Sequence, residues 1–144
     1  MSDHLDARKW ADRYVAMWNE SDPARRKALI GELWADDAVQ VLVDPPQEIR
    51  DAARALDFAV PTLEVRGHQA LVARVNRAYE MFIEPGEHVF ALAAEPSVLL
   101  PGVLGVRWSM VEKSTGKAVA GGLDVLALDA DGRIRSDHQY IDMS

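Results

Sequence analysis

Cysteine is absent from all 144 residues. That absence excludes disulfides, thiolate nucleophiles and cysteine metal sites, and it suits a reducing, cytoplasmic setting. Long apolar runs are missing too. Nothing approaches the roughly 20 consecutive apolar residues that a membrane helix needs, so no membrane association is expected. Basic charge is scarce: 16 Lys and Arg stand against 23 Asp and Glu, for a formal net charge of −7. The only basic triplet, Arg25-Arg26-Lys27, fans around a helix axis as a solvated face, and a polyanion such as nucleic acid is not an expected partner. The start, Met1-Ser2-Asp3-His4, has no basic stretch leading into an apolar one, so no secretory signal is expected. His4, His68 and His88 are scattered without metal-ligand spacing, and neither a metal nor a cofactor is expected.

What is present is enough apolar material for one core. Hydrophobic residues make up 49% of the chain, which excludes wholesale disorder. A chain of this length buries about 68–70% of its unfolded surface, and with no repeat, linker or low-complexity segment it reads as one domain over residues 1–144.

The apolar residues are patterned. Trp10, Tyr14, Met17 and Trp18 fall at i, i+4, i+7 and i+8, one stripe of an amphipathic helix over about 4–19. Asp22-Pro23 is an N-cap followed by proline at the first helical position, opening a second helix whose face is Leu29, Ile30, Leu33 and Trp34. Residues 38–43 are β-branched enough for a strand, which Asp44-Pro45-Pro46 stops. The stretch 47–66 admits two readings, a short helix around Ala52, Ala53, Leu56 and Phe58 or a flap. After Gly67, Leu71, Val75, Ala78 and Phe82 form a helical stripe that Pro85-Gly86 ends. The rest reads as strands at about 88–94, 103–113, 118–128 and 133–142, with an irregular link at 95–102. Ser114-Thr115-Gly116 and Asp129-Ala130-Asp131-Gly132 are turns of hairpin length. Helices first and strands later make an α+β fold, helices packed on one face of a curved antiparallel sheet.

This order of elements resembles the nuclear transport factor two-like superfamily. So do Arg13-Tyr14, the string Leu33-Trp34-Ala35-Asp36-Asp37-Ala38, Asp44-Pro45, Gly122-Leu123-Asp124-Val125 and Asp131-Gly132-Arg133-Ile134, which look like ketosteroid isomerases and SnoaL-like polyketide cyclases. The resemblance spans nearly the whole chain except residues 46–66. It implies a cone-shaped fold, a homodimer and a pocket for a hydrophobic small molecule. Its function signal is weaker, because the fold hosts isomerases, cyclases, hydratases, hydrolases and non-enzymes.

Set against ketosteroid isomerases, Tyr14 falls on the tyrosine and Asp124 on the protonated aspartic acid of an oxyanion hole, the family's known arrangement. Leu123, Val125 and Leu126 give Asp124 an apolar setting, which disfavours its charged form. The family's general base counts without a gap to Leu42. Asp44, two residues on and on the same face, takes that place only through a bulge. The resemblance thus implies catalysis by Tyr14, Asp124 and Asp44, with Asp137 as the substitute base. The substrate contacts would be Trp10, Trp18, Gln40, Leu42, Arg107, Ser109, Gly122, Asp137 and Gln139. Limonene epoxide hydrolases carry an Arg-x-Asp pair and a later aspartate where this chain has Arg107-Trp108-Ser109 and Gln139. The carboxylates that activate water there are missing. SnoaL-like cyclases place a His and an Asp near the last strand, where His138 and Asp142 stand, although strand alternation turns His138 outward.

Each residue also has a plainer reading. Tyr14 suits a core tyrosine, Asp124 a structural bond to Tyr14 or Arg107, Asp44 a strand-ending Asp-Pro turn, and Arg107 a cross-strand ion pair with Asp124 or Asp137. Trp10, Trp18, Trp34 and Trp108 either line a pocket for a flat ligand or fill the core. Function is left between a cofactor-free acid–base enzyme working through an enolate (isomerase, cyclase or dehydratase) and a non-catalytic small-molecule-binding or assembly dimer. The expected dimer face carries Ile134, His138 and Tyr140.

Overall fold

The computed structural model describes residues 6–43, 51 and 63–142. Asp44, the Asp-Pro-Pro stop and most of the ambiguous 47–66 stretch lie outside the described residues.

Helix α1 (Ala7–Asn19) opens where Asp6 accepts a hydrogen bond from the Lys9 amide, satisfying one of the free donors of the first turn. Helix α2 (Pro23–Leu33) opens on Asp22, whose side chain accepts from the Ala24 amide, with proline at the first helical positions. Strand β1 (Trp34–Val43) follows directly, four residues earlier than β-branching suggests. Trp34 therefore begins a strand rather than finishing the helix. Strand β2 (Leu63–Arg66) returns antiparallel to β1, and Gly67, at φ 80°, turns the chain into helix α3 (Gly67–Ala78). Only glycine takes that conformation cheaply. The last turn, Tyr79–Ile83, widens to a π-helix.

Five strands then form one seven-stranded sheet with β1 and β2 in the order β2-β1-β7-β6-β5-β3: β3 (His88–Leu92), β5 (Val103–Glu112), β6 (Ala118–Leu128) and β7 (Ile134–Asp142) on the path, with β4 (Ser97–Leu100) beside β5. The stretch expected as an irregular link thus holds a short edge strand, with all four of its residues exposed. The fold is the α+β, cone-shaped curved sheet over N-terminal helices. One pairing has no local sequence signal: β1 runs parallel to β7, bringing the first strand of the chain beside the last.

The inner face of the sheet meets α1 and α3 in a core of Trp10, Tyr14, Met17, Trp34, Leu71 and Val75 against Leu42, Leu104, Val106, Leu126 and Ile134. Asn19 pins the end of α1 to the sheet: its amide donates to the Phe90 carbonyl (2.8 Å) and accepts from the Phe90 amide (2.9 Å). Ile134 lies in this core, not on the outer face expected of it. The β6–β7 pairing shifts register between Ala127–Ser136 and Leu128–Ile134. A bulge reverses the alternation, so Ile134 points in while His138 and Tyr140 point out.

Candidate functional site

The central strands carry a polar group on the inner, otherwise apolar face. Gln40 of β1 is the register partner of Asp137 on β7, and Gln139 of β7 is the partner of Asp124 on β6. All four are buried. Tyr14 reaches them from α1 and Arg74 from α3.

Six side chains form one chain of contacts. The Arg74 guanidinium donates to Gln139 Oε1 at 3.0 Å, and Gln139 Nε2 donates to Asp124 at 3.2–3.3 Å. The Tyr14 hydroxyl lies 2.7 Å from Asp124 Oδ2 and 2.7 Å from Asp137 Oδ2. Gln40 Nε2 donates to Asp137 Oδ2 at 2.9 Å. Trp108 joins from the side, its indole N–H donating to Asp124 Oδ1 at 2.7 Å.

The proton count follows from these distances. A phenol has one proton and donates one bond. Two oxygens at 2.7 Å require a second proton, carried by one of the carboxyls. Asp137 is the better holder. Its Oδ1 is buried without a partner, a heavy penalty for a carboxylate and a smaller one for a neutral acid. Asp124, in contrast, accepts at both oxygens, from Tyr14, Trp108 and Gln139. Burial, then the charge of Asp124, raises the Asp137 pKa well above the ordinary carboxyl range. Burial raises Asp124 as well, opposed by its hydrogen bonds. Burial, then the two carboxyls, pushes the Tyr14 phenol up and keeps it protonated. The pair therefore holds one proton between two acids, with Asp124 as the ionised end.

A cavity of about 50 Å³ opens beside Asp124, room for more than one water. Its polar lining is Tyr14, Arg74, Asp124 and Gln139, and its aromatic walls are Trp18, Phe82, Phe90 and Trp108. Phe90 meets Trp18 and Trp108 edge-on, at 6.5 and 5.6 Å between centroids, a favoured aromatic geometry.

Tyr14, Asp124, Trp18 and Gln139 thus come together at the cavity. Asp137 and Gln40 lie behind them and reach the cavity only through Tyr14. Five of the other residues expected at the ligand do not line the cavity. Arg107 and Ser109 alternate with the inward Val106, Trp108 and Met110, so they face away from the cavity, and Arg107 is exposed. Arg107 pairs across the strand with Leu123, not with Asp124 or Asp137. Leu42 is closed into the core. Trp10 stacks on Tyr14 at 5.7 Å and donates to the Gly132 carbonyl, outside the cavity. Gly122 serves Trp108 rather than a ligand: a Cβ there would fall 2.5 Å from the indole ring. Asp44 lies outside the described residues.

Two participants were not singled out from sequence. Trp108 counted as an aromatic only, and its N–H proves to be a donor to Asp124. Arg74 carries a signal of its own, since it sits within the apolar stripe of Leu71, Val75 and Ala78, where a charged side chain needs a reason.

The fold and site can be set beside known proteins. A candidate isomerase of the SnoaL-like family from Agrobacterium tumefaciens superposes with a TM-score of 0.70 at 29% identity, covering 99% of each chain. The chain has the fold of the nuclear transport factor two-like superfamily. A superfamily protein of unknown function from Exiguobacterium gives 0.62 at 18% identity, over 94% of this chain and 99% of its own. A SnoaL-like protein of unknown function from Burkholderia thailandensis gives 0.60 at 15%, over 95% and 98%. These two speak for the fold alone. No family model and no curated protein matches the sequence. Among the described residues, no helix is long and apolar enough to cross a membrane.

Proposed function

We propose that the chain is a cofactor-free acid–base enzyme acting on an apolar carbonyl compound in this cavity, as an isomerase, cyclase or dehydratase working through an enolate. One observation carries the reading: a buried carboxyl group lines an apolar cavity and is wired through a phenol to a second buried carboxyl group, at 2.7 Å from each. Pairs of titratable groups held in opposite protonation states are what acid–base chemistry near neutrality needs.

Asp124 takes the proton from the carbon next to the carbonyl. The C–H electrons move into the enolate, and the proton resides on Asp124. Protonated, Asp124 is a weaker acceptor, which releases the Tyr14 hydroxyl, also at the cavity, to donate to the enolate oxygen. Return of the proton to a different carbon completes an isomerisation. Asp124 thus takes the base role that the family resemblance gave to Asp44.

The test is deuterium uptake from D2O into a panel of apolar ketones, followed by mass spectrometry. Asp124→Asn, which keeps the shape but not the basicity, is expected to lose about 100-fold or more in exchange rate while still binding ligand. Exchange at the wild-type rate in both Asp124→Asn and Asp124→Leu sinks the proposal.

The alternative, a non-catalytic small-molecule-binding or assembly dimer, draws on Leu42, an apolar core residue where the related isomerases count to their base. Capture of a ketone without exchange in the same experiment favours it. Either version is proposed as a homodimer through the outer face of the sheet, where Leu123 pairs with the exposed Tyr140 and Val125 with the exposed His138. Sedimentation at the monomer mass of 15.9 kDa would remove that part.

A further inference from the structure

We infer that the molecule this cavity takes is an apolar carboxylate, its anionic group received by Arg74. The inference rests on the proposed reading of the cavity as a ligand pocket and deepens it by naming the ligand's charge.

Arg74 is only 8% exposed. A buried guanidinium has five N–H groups to satisfy and remains charged. Its one hydrogen bond among the described residues runs to the neutral amide of Gln139, and its Nε is buried without a partner. Among the described residues no carboxylate hydrogen-bonds to it. A buried cation without a paired anion costs several kcal/mol of desolvation, which one amide hydrogen bond and the face of Trp18 return only in part. The position of the guanidinium is defined by two cavity-lining side chains: its carbon lies 5.2 Å over the Trp18 ring, and one nitrogen reaches Gln139. Arg74 itself lines the cavity.

Asp124 stands on the far side of the Gln139 amide and is already satisfied by three donors. It does not come forward to neutralise Arg74. A ligand carboxylate does so, in the bidentate geometry a guanidinium favours. The single amide between cation and carboxylate then places the ligand's carboxylate at Arg74 and a carbon a few bonds away at Asp124. The aromatic walls take its apolar body. The net charge of −7 opposes anion uptake elsewhere on the surface, so a preference for anions has to come from a local cation.

The test uses benzoate and benzamide, which share shape and differ in charge, titrated into the full chain and followed by amide chemical shifts. Wild-type protein is expected to bind benzoate about tenfold or more tightly than benzamide. Arg74→Met is expected to abolish the preference by weakening benzoate alone, and Arg74→Lys to keep part of it. Thermal melts establish that each variant is folded, and Arg74→Lys carries the test if Arg74→Met is not. Equal binding of both probes to wild type, or an unchanged preference in a folded Arg74 variant, overturns the inference and leaves the pocket reading standing. Binding of neither probe overturns both.

Discussion

Asp124 and Asp137 stand on adjacent strands and share one phenol oxygen, the Tyr14 hydroxyl at 2.7 Å from each. The geometry demands an extra proton, which makes the folded state a better proton binder than the unfolded chain. That has a measurable sign.

An Asp in the unfolded chain titrates near 3.9, whereas Asp137 in the fold is raised well above that by burial and by the charge of Asp124. Between those values the folded protein holds a proton that the unfolded chain has released, so stability falls as pH rises through the window. Asp137→Asn mimics the neutral acid, with the Gln40 amide turned over to accept from it, and does not titrate. Wild type is expected to lose stability relative to Asp137→Asn by up to about 1.4 kcal/mol per pH unit as pH rises above about 4. Urea denaturation of both proteins from pH 4 to 9 measures this. Parallel curves would mean that Asp137 carries no extra proton.

Gly122 and Trp108 make a second, steric prediction. A Cβ on Gly122 would sit 2.5 Å from the Trp108 ring and closer still to the Tyr140 carbonyl. Gly122→Ala must push the indole away or spread the strands. The expected cost is about 1–3 kcal/mol, as for other overpacked sites. It comes with a change in tryptophan fluorescence as the Trp108 N–H leaves Asp124. An unchanged urea midpoint with an unchanged spectrum would contradict the contact.

Arg26 gives a prediction of the opposite sign. It is 3% exposed on the core side of α2, its Nε and one terminal nitrogen have no partner, and its guanidinium lies 4.3 Å over the Tyr79 ring. The cation–π contact returns about 2 kcal/mol when desolvated, less than burying an unpaired cation costs. Arg26→Met, similar in reach and apolar, is therefore expected to leave the melting temperature unchanged or to raise it by a few degrees. A drop of about 5 °C or more would show that the guanidinium is satisfied in solution.

The arginines show what a linear pattern misses. Arg74 lies among Leu71, Val75 and Ala78, and Arg26 at i and i+4 with Ile30, so both sit on buried faces. Helical periodicity was legible, yet the basic triplet around Arg26 read as solvated because charge usually is. Arg107 failed the other way. Homologous position suggested a clamp, while simple alternation with Trp108 already turned it out of the cavity. Ile134 failed because a bulge breaks the period of two that the outer-face reading assumed.

The sequence by itself determined the helices, the meander and the inward set of Asp124, Asp137 and Gln139, because capping, turn chemistry and alternation act over a few residues. It also determined that an aspartate lay among core residues and needed partners. Only the tertiary structure decided who they were. Tyr14 meets Asp124 and Asp137 across 110 and 123 residues. Gln40 meets Asp137 because β1 docks parallel to β7. Arg74 meets Gln139 because α3 crosses the sheet at that point. Such contacts depend on register and crossing position to within about an ångström. Those are settled by packing the whole core at once and leave no local trace in the chain.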